Sequence, residues 1–249
     1  MTVFEQKTLF KRQYLTFAGQ NSKDYLLYLS APGVYDSPAV DLELTAVPGK
    51  NGDVITDNAR KGQRRFKNLD ITYKAFFFDG VPAKTAAVKA WLLSPAGYQK
   101  LQDTYDPEFF RLAICKEAIE FEPVKQKAAR MELKFHCQPQ RWSVEGQQAL
   151  RMEAPGTLKN PFAFHAKPLI RVYGDSGGKL YVGEELLTIH SIDGYVDLNC
   201  ETHNAYNASG FCNDTIKSGD FPSLKPGKNS ITWTGGIRAV EVTPRWWTL

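Results

Sequence analysis

The chain has 249 residues, of which 43% are apolar and 23% charged, with a formal net charge of +4. That length allows one large or two modest domains, each with an ordinary core. No apolar run approaches the ~20 residues of a membrane-spanning helix, the N-terminal stretch has no uninterrupted apolar leader segment, and the charge is too small to argue nucleic-acid binding on its own.

The charge is uneven. Residues 1–142 hold 21 basic and 16 acidic side chains, and residues 143–249 hold 10 and 11. The first half is thus expected to carry a contact surface for something acidic. The four cysteines, Cys115, Cys137, Cys200 and Cys212, form no CxxC pair and no zinc spacing, so reduced and mostly buried thiols are expected.

In chain order, Phe4 to Phe17 mixes apolar and basic residues and predicts a short first strand. Tyr25 to Leu29 predicts a second, ended by Pro32-Gly33. Val40 to Val47 alternates and predicts a third. Pro48 to Lys67 is polar and rich in turn signals, with Asn51-Gly52, Asp57-Asn58 and Lys61-Gly62. Five of the eight residues from Arg60 to Lys67 are basic. This stretch predicts an exposed long hairpin or arm. It reads either as a solvated loop or as a surface that grips a neighbour.

Leu69 to Phe78 predicts a long strand with Leu69, Ile71, Tyr73, Ala75 and Phe77 on one face. Phe76 and Phe78 make its end apolar on both sides, which predicts a covering layer there. After a turn at Asp79-Gly80, Pro82 to about Leu93 predicts a helix with Val81, Ala87, Val88, Trp91 and Leu92 as its inward stripe. Tyr98 to Asp106 predicts a loop or short strand, and Phe109 to Cys115 and Ile119 to Glu122 predict strands. Met131 to Gln138 alternates strictly, with Met131, Leu133, Phe135 and Cys137 apolar, and predicts the closing strand of a first domain. Pro139 ends it, with Arg141 and Trp142 beyond.

Gln147 to Pro161 reads as a connector, and the remainder as strands and turns. Asp175 to Gly178, Asp193-Gly194 and Gly235-Gly236 read as hairpin turns, and Asn204 to Lys228 as a long loop. The expected fold class is mainly β. An α+β domain over residues 1–150 carries one helix on β layers, and a β-sandwich covers residues 151–249.

No catalytic constellation stands out. His136, His165, His190 and His203 are scattered, and there is no HExxH, GxSxG, P-loop or GxGxxG. Gly174-Asp175-Ser176-Gly177 reads as a turn rather than a serine nucleophile, and Asp193 and Asp197 are weak candidates for a carboxylate pair. Tyr206, Phe221, Trp233, Trp246 and Trp247 are the aromatics of interest in the second half. Trp246 and Trp247 are candidate surface contacts. The competing reading buries them.

Four stretches, Pro48 to Asp53, Gly97 to Ala113, Phe135 to Trp142 and Asp220 to Trp233, taken in this order and spacing, resemble the distal tail protein (Dit) family of long-tailed, non-contractile bacteriophages. The resemblance covers nearly the whole chain. It implies a hexameric ring at the tail tip or baseplate, a structural hub without catalysis or cofactor. The hub would join the major tail protein at the end of the tail tube to the tail-associated fibre or lysin protein. In some phages it also joins receptor-binding proteins used in host adsorption. It further implies a galectin-like outer sandwich, a place in the virion after assembly in the host cytoplasm, and an arm over about Pro48 to Lys67 that reaches the neighbouring subunit. The arm positions Lys50, Asn51, Asp53, Arg60, Arg64, Arg65 and Phe66 are then the candidate interface, because a ring needs two complementary surfaces per subunit. The alternatives are a monomeric carbohydrate-binding sandwich protein and a nucleic-acid binder. The latter lacks basic residues outside one loop.

Overall fold

The computed structural model describes residues 12–30, 35–57, 63–78, 81–124, 128–217 and 221–249. The expected turns at Pro32-Gly33, Lys61-Gly62 and Asp79-Gly80 lie outside the described residues, as do Arg60, Asn58 and the start of the Phe4–Phe17 strand. The chain forms two compact units, residues 1–141 together with Leu249, and residues 142–248. The fold is mainly β, with a single α-helix among the described residues.

The first unit contains β1 (Leu15–Phe17), β2 (Gln20–Asn21), β3 (Tyr28–Leu29), β4 (Leu42–Ala46), β5 (Asp53–Asp57) and β6 (Leu69–Phe78). Helix α1 (Val81–Leu93) follows, then β7 (Gln99–Asp103), β8 (Phe109–Ile114), β9 (Phe121–Val124) and β10 (Ala128–Cys137). Its main sheet runs β2-β1-β7-β8-β10-β6-β3, with β9 also on β10. Strand β10 keeps the alternation of its sequence: Met131, Leu133, Phe135 and Cys137 are buried and the residues between them are not. Within the sheet it is a central strand rather than an edge. It pairs with β6 along its whole length, and with β9 and β8 on its other side. An alternating strand shows which face is buried, but nothing in its sequence distinguishes an edge from a centre.

Helix α1 packs Val88, Trp91 and Leu92 into the same core as Phe17, Phe77 and Phe135. The Trp91 indole N–H donates to the Phe17 carbonyl at 3.0 Å, and its ring stacks on Tyr25 at 4.7 Å. Ala87, expected in the inward stripe, is exposed. The expected strand at Tyr25–Leu29 shrinks to Tyr28–Leu29. The Asn21 side chain accepts from the Lys23 N–H and caps a 3-10 turn over Ser22–Tyr25, which Leu26 ends in the left-handed region at φ 53°. Phe78, expected beneath a covering layer, is 58% exposed.

A short strand β11 (Arg141–Ser143) spans the boundary, and the second unit continues with β12 (Leu150–Met152), β13 (Gly156–Asn160), β14 (Leu169–Val182) and β15 (Glu185–Ile189). Then come β16 (Gly194–Asn199), β17 (Asn204–Asn207), β18 (Gly210–Phe211), β19 (Ile216–Lys217), β20 (Gly227–Thr243) and β21 (Trp247–Thr248). The expected connector over 147–161 and the expected loop over 204–228 thus contain strands. Asp175–Gly178 and Gly235-Gly236 are not turns. Each lies inside one of two long strands, β14 and β20, which pair antiparallel with register shifts around Gly174 and Gly178.

The glycines allow this because the backbones nearly touch. A Cβ on Gly174 would sit 2.5 Å from the Gly236 carbonyl oxygen, and one on Gly178 would sit 2.5 Å from that of Thr234. At the irregularity the sheet folds back over itself. One end of β14 pairs with β16 and the other with β15; one end of β20 pairs with β12 and the other with β13. Ile170, Val172, Val196 and Val242 from one end share a core with Leu180, Val182, Leu187 and Ile231 from the other. The two layers are therefore parts of one nine-stranded sheet, and the long strands turn the corner at a bulge. Asp193-Gly194 joins β15 to β16, but these strands pair with β14 and not with each other.

Candidate assembly surface

Strands β4 and β5 form a two-stranded sheet of their own. Their register places Leu44 opposite Ile55, Thr45 opposite Val54 and Ala46 opposite Asp53. Leu44 is 59% and Ile55 63% exposed, and Val47 and Val54 are exposed as well. A lone two-stranded ribbon is marginal in water and gains stability only when a face is covered. The ribbon runs from Leu42 to Asp57, so it overlaps only the first part of the arm expected over Pro48 to Lys67. Within the alternating stretch Val40–Val47, Val40 and Leu42 are half-buried at the root, while Leu44 and Val47 are exposed.

The candidate residues fall at the two ends of this ribbon. Lys50, Asn51 and Asp53 are at the tip, where the Lys50 N–H donates to the Val47 carbonyl at 3.1 Å. Gly49 and Gly52 take φ of +79° and +77° in the connection between the strands. Arg64, Arg65 and Phe66 are at the root. There the Asp41 N–H donates to the Arg65 carbonyl at 2.9 Å, the Lys67 N–H donates to the Ala39 carbonyl at 2.8 Å, and Phe66 bridges Val40. The Arg65 guanidinium lies 4.0 Å from the Asp41 carboxylate. Five residue pairs separate tip and root by about 17 Å. The ribbon holds Glu43, Asp53 and Asp57 against Lys50, and the root holds Arg64, Arg65 and Lys67 against Asp41. The residues missed from sequence are the apolar ones, Leu44, Val54 and Ile55. Their signal was an alternating strand beside a run of turn residues.

The aromatic candidates in the second unit are not free platforms. Trp246 is buried in the core, its carbonyl accepting from the Ser143 N–H at 2.9 Å, with Gly146 leaving room against its backbone. Trp247 is half-buried, stacks on Phe164 at 4.4 Å, and donates its indole N–H to the His165 carbonyl at 2.9 Å. Tryptophan's large apolar area explains the placement.

The polar clusters are self-contained. His136 lies 2.6 Å from Asp70 and 3.0 Å from Asn68, and the hydrogen bond from His136 holds the Asp70 carboxyl below its usual range. Asp197 is buried and accepts two bonds from Arg171, both at 2.7 Å, so it forms no carboxylate pair with Asp193. All four cysteines are free thiols, and burial pushes the Cys137 thiol up to about 12, far from a nucleophile's range. No group of three metal-ligating side chains occurs among the described residues, and no described helix is long and apolar enough to cross a membrane.

No family model and no curated protein matches the sequence. Among solved structures, the chain is similar to the SPP1 Dit (gp 19.1) protein, described as a paradigm of hub adsorption apparatus in Gram-positive infecting phages. The TM-score is 0.73 at 14% identity, over 96% of this chain and 100% of that one. At that identity the likeness is one of fold: this chain has a Dit-like, mainly β fold along essentially its whole length.

Proposed function

We propose that this protein is a structural hub of a phage tail tip or baseplate. It forms a hexameric ring between the end of the tail tube and the tail-associated fibre or lysin protein. Host-adsorption components, including receptor-binding proteins in some phages, attach to the same hub. The protein works in the virion, after assembly in the host cytoplasm, and carries out no catalysis. The fold likeness to a phage hub protein, over 96% of this chain and all of that one, carries this reading. The ribbon supports it independently, because a free-standing sheet with Leu44 and Ile55 in solvent calls for a covering neighbour. Light scattering on the purified chain across concentration tests it. A mass six times that of the chain is expected. A chain that stays monomeric, and also stays monomeric when mixed with tail-tube protein, overturns the ring.

A second reading, saccharide binding by the second unit, draws on a different observation. The strand register aligns Arg151, Glu241, Arg171, Asp197, Tyr206 and Phe211 in one row across six strands. Phe211, at the end of the row, is 79% exposed. A ring edge beside hydrogen-bonding groups suits the mixed apolar and hydroxyl faces of a sugar. A glycan screen with F211A as control separates the two readings.

A further inference from the structure

Ten asparagines occur in the chain, and only Asn51 precedes a glycine. Eight of the other nine lie among the described residues, and each holds its side-chain amide in a hydrogen bond. Asn21, Asn199 and Asn207 each accept from the backbone N–H two residues on, at 2.8, 3.2 and 2.9 Å. Asn160 and Asn229 are buried and donate to the Phe164 and Lys225 carbonyls, both at 2.8 Å. Asn213 donates to Asn204 at 3.0 Å, and Asn68 to the Tyr98 hydroxyl at 2.7 Å. Asn51 differs from all of these: it is exposed at the ribbon tip, and its amide makes no hydrogen bond among the described residues.

The residue after it is equally open. Gly52 is exposed, takes φ +77°, and has no atom within 4 Å of where a Cβ would stand. Its N–H donates to no group among the described residues. Together these features favour one reaction. Hydroxide takes the proton from the Gly52 backbone nitrogen, which then attacks the Asn51 Cγ. A new N–C bond closes a succinimide ring, the bond from Cγ to the side-chain nitrogen breaks, and that nitrogen takes a proton from water and leaves as ammonia. Water opens the ring at either carbonyl. One opening gives aspartate; the other gives isoaspartate, in which the main chain runs through the former side chain. Water is the only co-reactant, and nothing is oxidised or reduced. A side chain at position 52 would crowd the attacking nitrogen, and a hydrogen bond on the Asn51 amide would hold Cγ away from it. Neither obstacle is present.

We propose that Asn51-Gly52 is a self-modifying site of the folded chain, at which water replaces the Asn51 amide with a carboxylate. The modified tip carries that carboxylate and Asp53 against Lys50 alone, and the isoaspartyl form lengthens the turn by one methylene. The proposal stands on the geometry of a single chain and does not depend on the assembly reading.

The test holds the full chain at pH 8 and follows every asparagine by mass spectrometry after digestion at acid pH. The same chain in urea gives the rate of the unconstrained site, N51Q removes the reacting amide, and N51D marks the aspartate product. The expected result is that Asn51 converts to isoaspartate and aspartate at close to its rate in urea, and faster as pH rises. The eight hydrogen-bonded asparagines stay intact over that time, and N51Q shows no conversion at position 51. An Asn51 that stays intact in the folded chain while it converts in urea overturns the proposal, because the turn then closes the site. Conversion of Asn51 no faster than that of the hydrogen-bonded asparagines also overturns it. A rate independent of pH, or aspartate without isoaspartate, overturns the succinimide route. Either failure leaves the hub reading, which is tested by assembled mass, where it was.

Discussion

Leu44 and Ile55 face each other across the β4–β5 ribbon, and both are more exposed than not. In a core, such a pair would contribute several kcal/mol. Here the chain gains little from it until something covers it. The double variant L44D/I55D should therefore leave the urea midpoint of the isolated chain within about 0.5 kcal/mol of wild type, as expected for exposed positions. Its assembled mass should fall toward that of a monomer. An assembled mass unchanged by two carboxylates would show that the ribbon covers nothing.

The basic root gives a second, separable prediction. Arg65 is largely exposed beside Asp41, and Arg64 adjoins it. Exposed charges act at contacts through a screened field, with a Debye length of about 8 Å at physiological salt. Charge reversal, R64E/R65E, should weaken assembly most at low salt, and the difference from wild type should shrink as salt rises. Sedimentation at two ionic strengths reads this directly. An R64E/R65E protein that assembles normally at low salt would mean the root is not the clasp.

Inside the first unit, Tyr73 donates its hydroxyl to Asp103 at 2.6 Å. Burial, with the Asp103 carboxylate beside it, raises the Tyr73 hydroxyl well above its ordinary 10.0. The folded form therefore keeps a proton that the unfolded form releases. This contribution to stability is fully present below pH 10 and is lost as pH rises from there toward the folded value. Burial pushes the Cys137 thiol up to about 12, which acts in the same direction from about pH 9 upward. Urea midpoints should fall between pH 9 and 11. Y73F, while less stable at pH 8 because Asp103 loses a donor, should show a shallower fall. Equal slopes for the two proteins would remove Tyr73 from the account.

How legible the fold was depended on what each signal measures. Alternation in Met131–Cys137 and Leu69–Phe77 identified the buried faces correctly, because a half-buried strand must alternate. The same signal carried less at Val40–Val47, where Val40 and Leu42 are half-buried but Leu44 and Val47 are exposed. It marks a pleated strand with two unlike faces, and whether a layer covers one of them is a tertiary fact. Glycine pairs misled in the second unit for a related reason. Gly235-Gly236 can turn a chain, but it can equally let two backbones approach, and only the crossing of β14 with β20 decides between these. At the arm, composition drew attention to Arg64 and Arg65, while the apolar ribbon face became visible only once Leu44 and Ile55 were seen in solvent.

Arg171 and Asp197 form the pair whose removal should be most asymmetric. Asp197 is 4% exposed, and its two oxygens accept from the Arg171 Nε and Nη2 at 2.7 Å each. The Arg171 side chain is 39% exposed and lies over the Tyr195 ring at 4.4 Å. Removing the arginine leaves a buried carboxylate without its cation, which costs about 3–5 kcal/mol when no water reaches it. Removing the carboxylate leaves a guanidinium that water and the Tyr195 ring already serve, so D197N should cost only about 1.5–3 kcal/mol, the range of a charged hydrogen bond. R171M should thus lower the stability of the second unit more than D197N does. The double variant R171M/D197N should recover part of the loss, because no buried charge remains. Urea unfolding of the three variants at pH 7 checks the order. A D197N loss equal to or larger than that of R171M would mean that solvent reaches Asp197 and that burial does not set the energy of the pair.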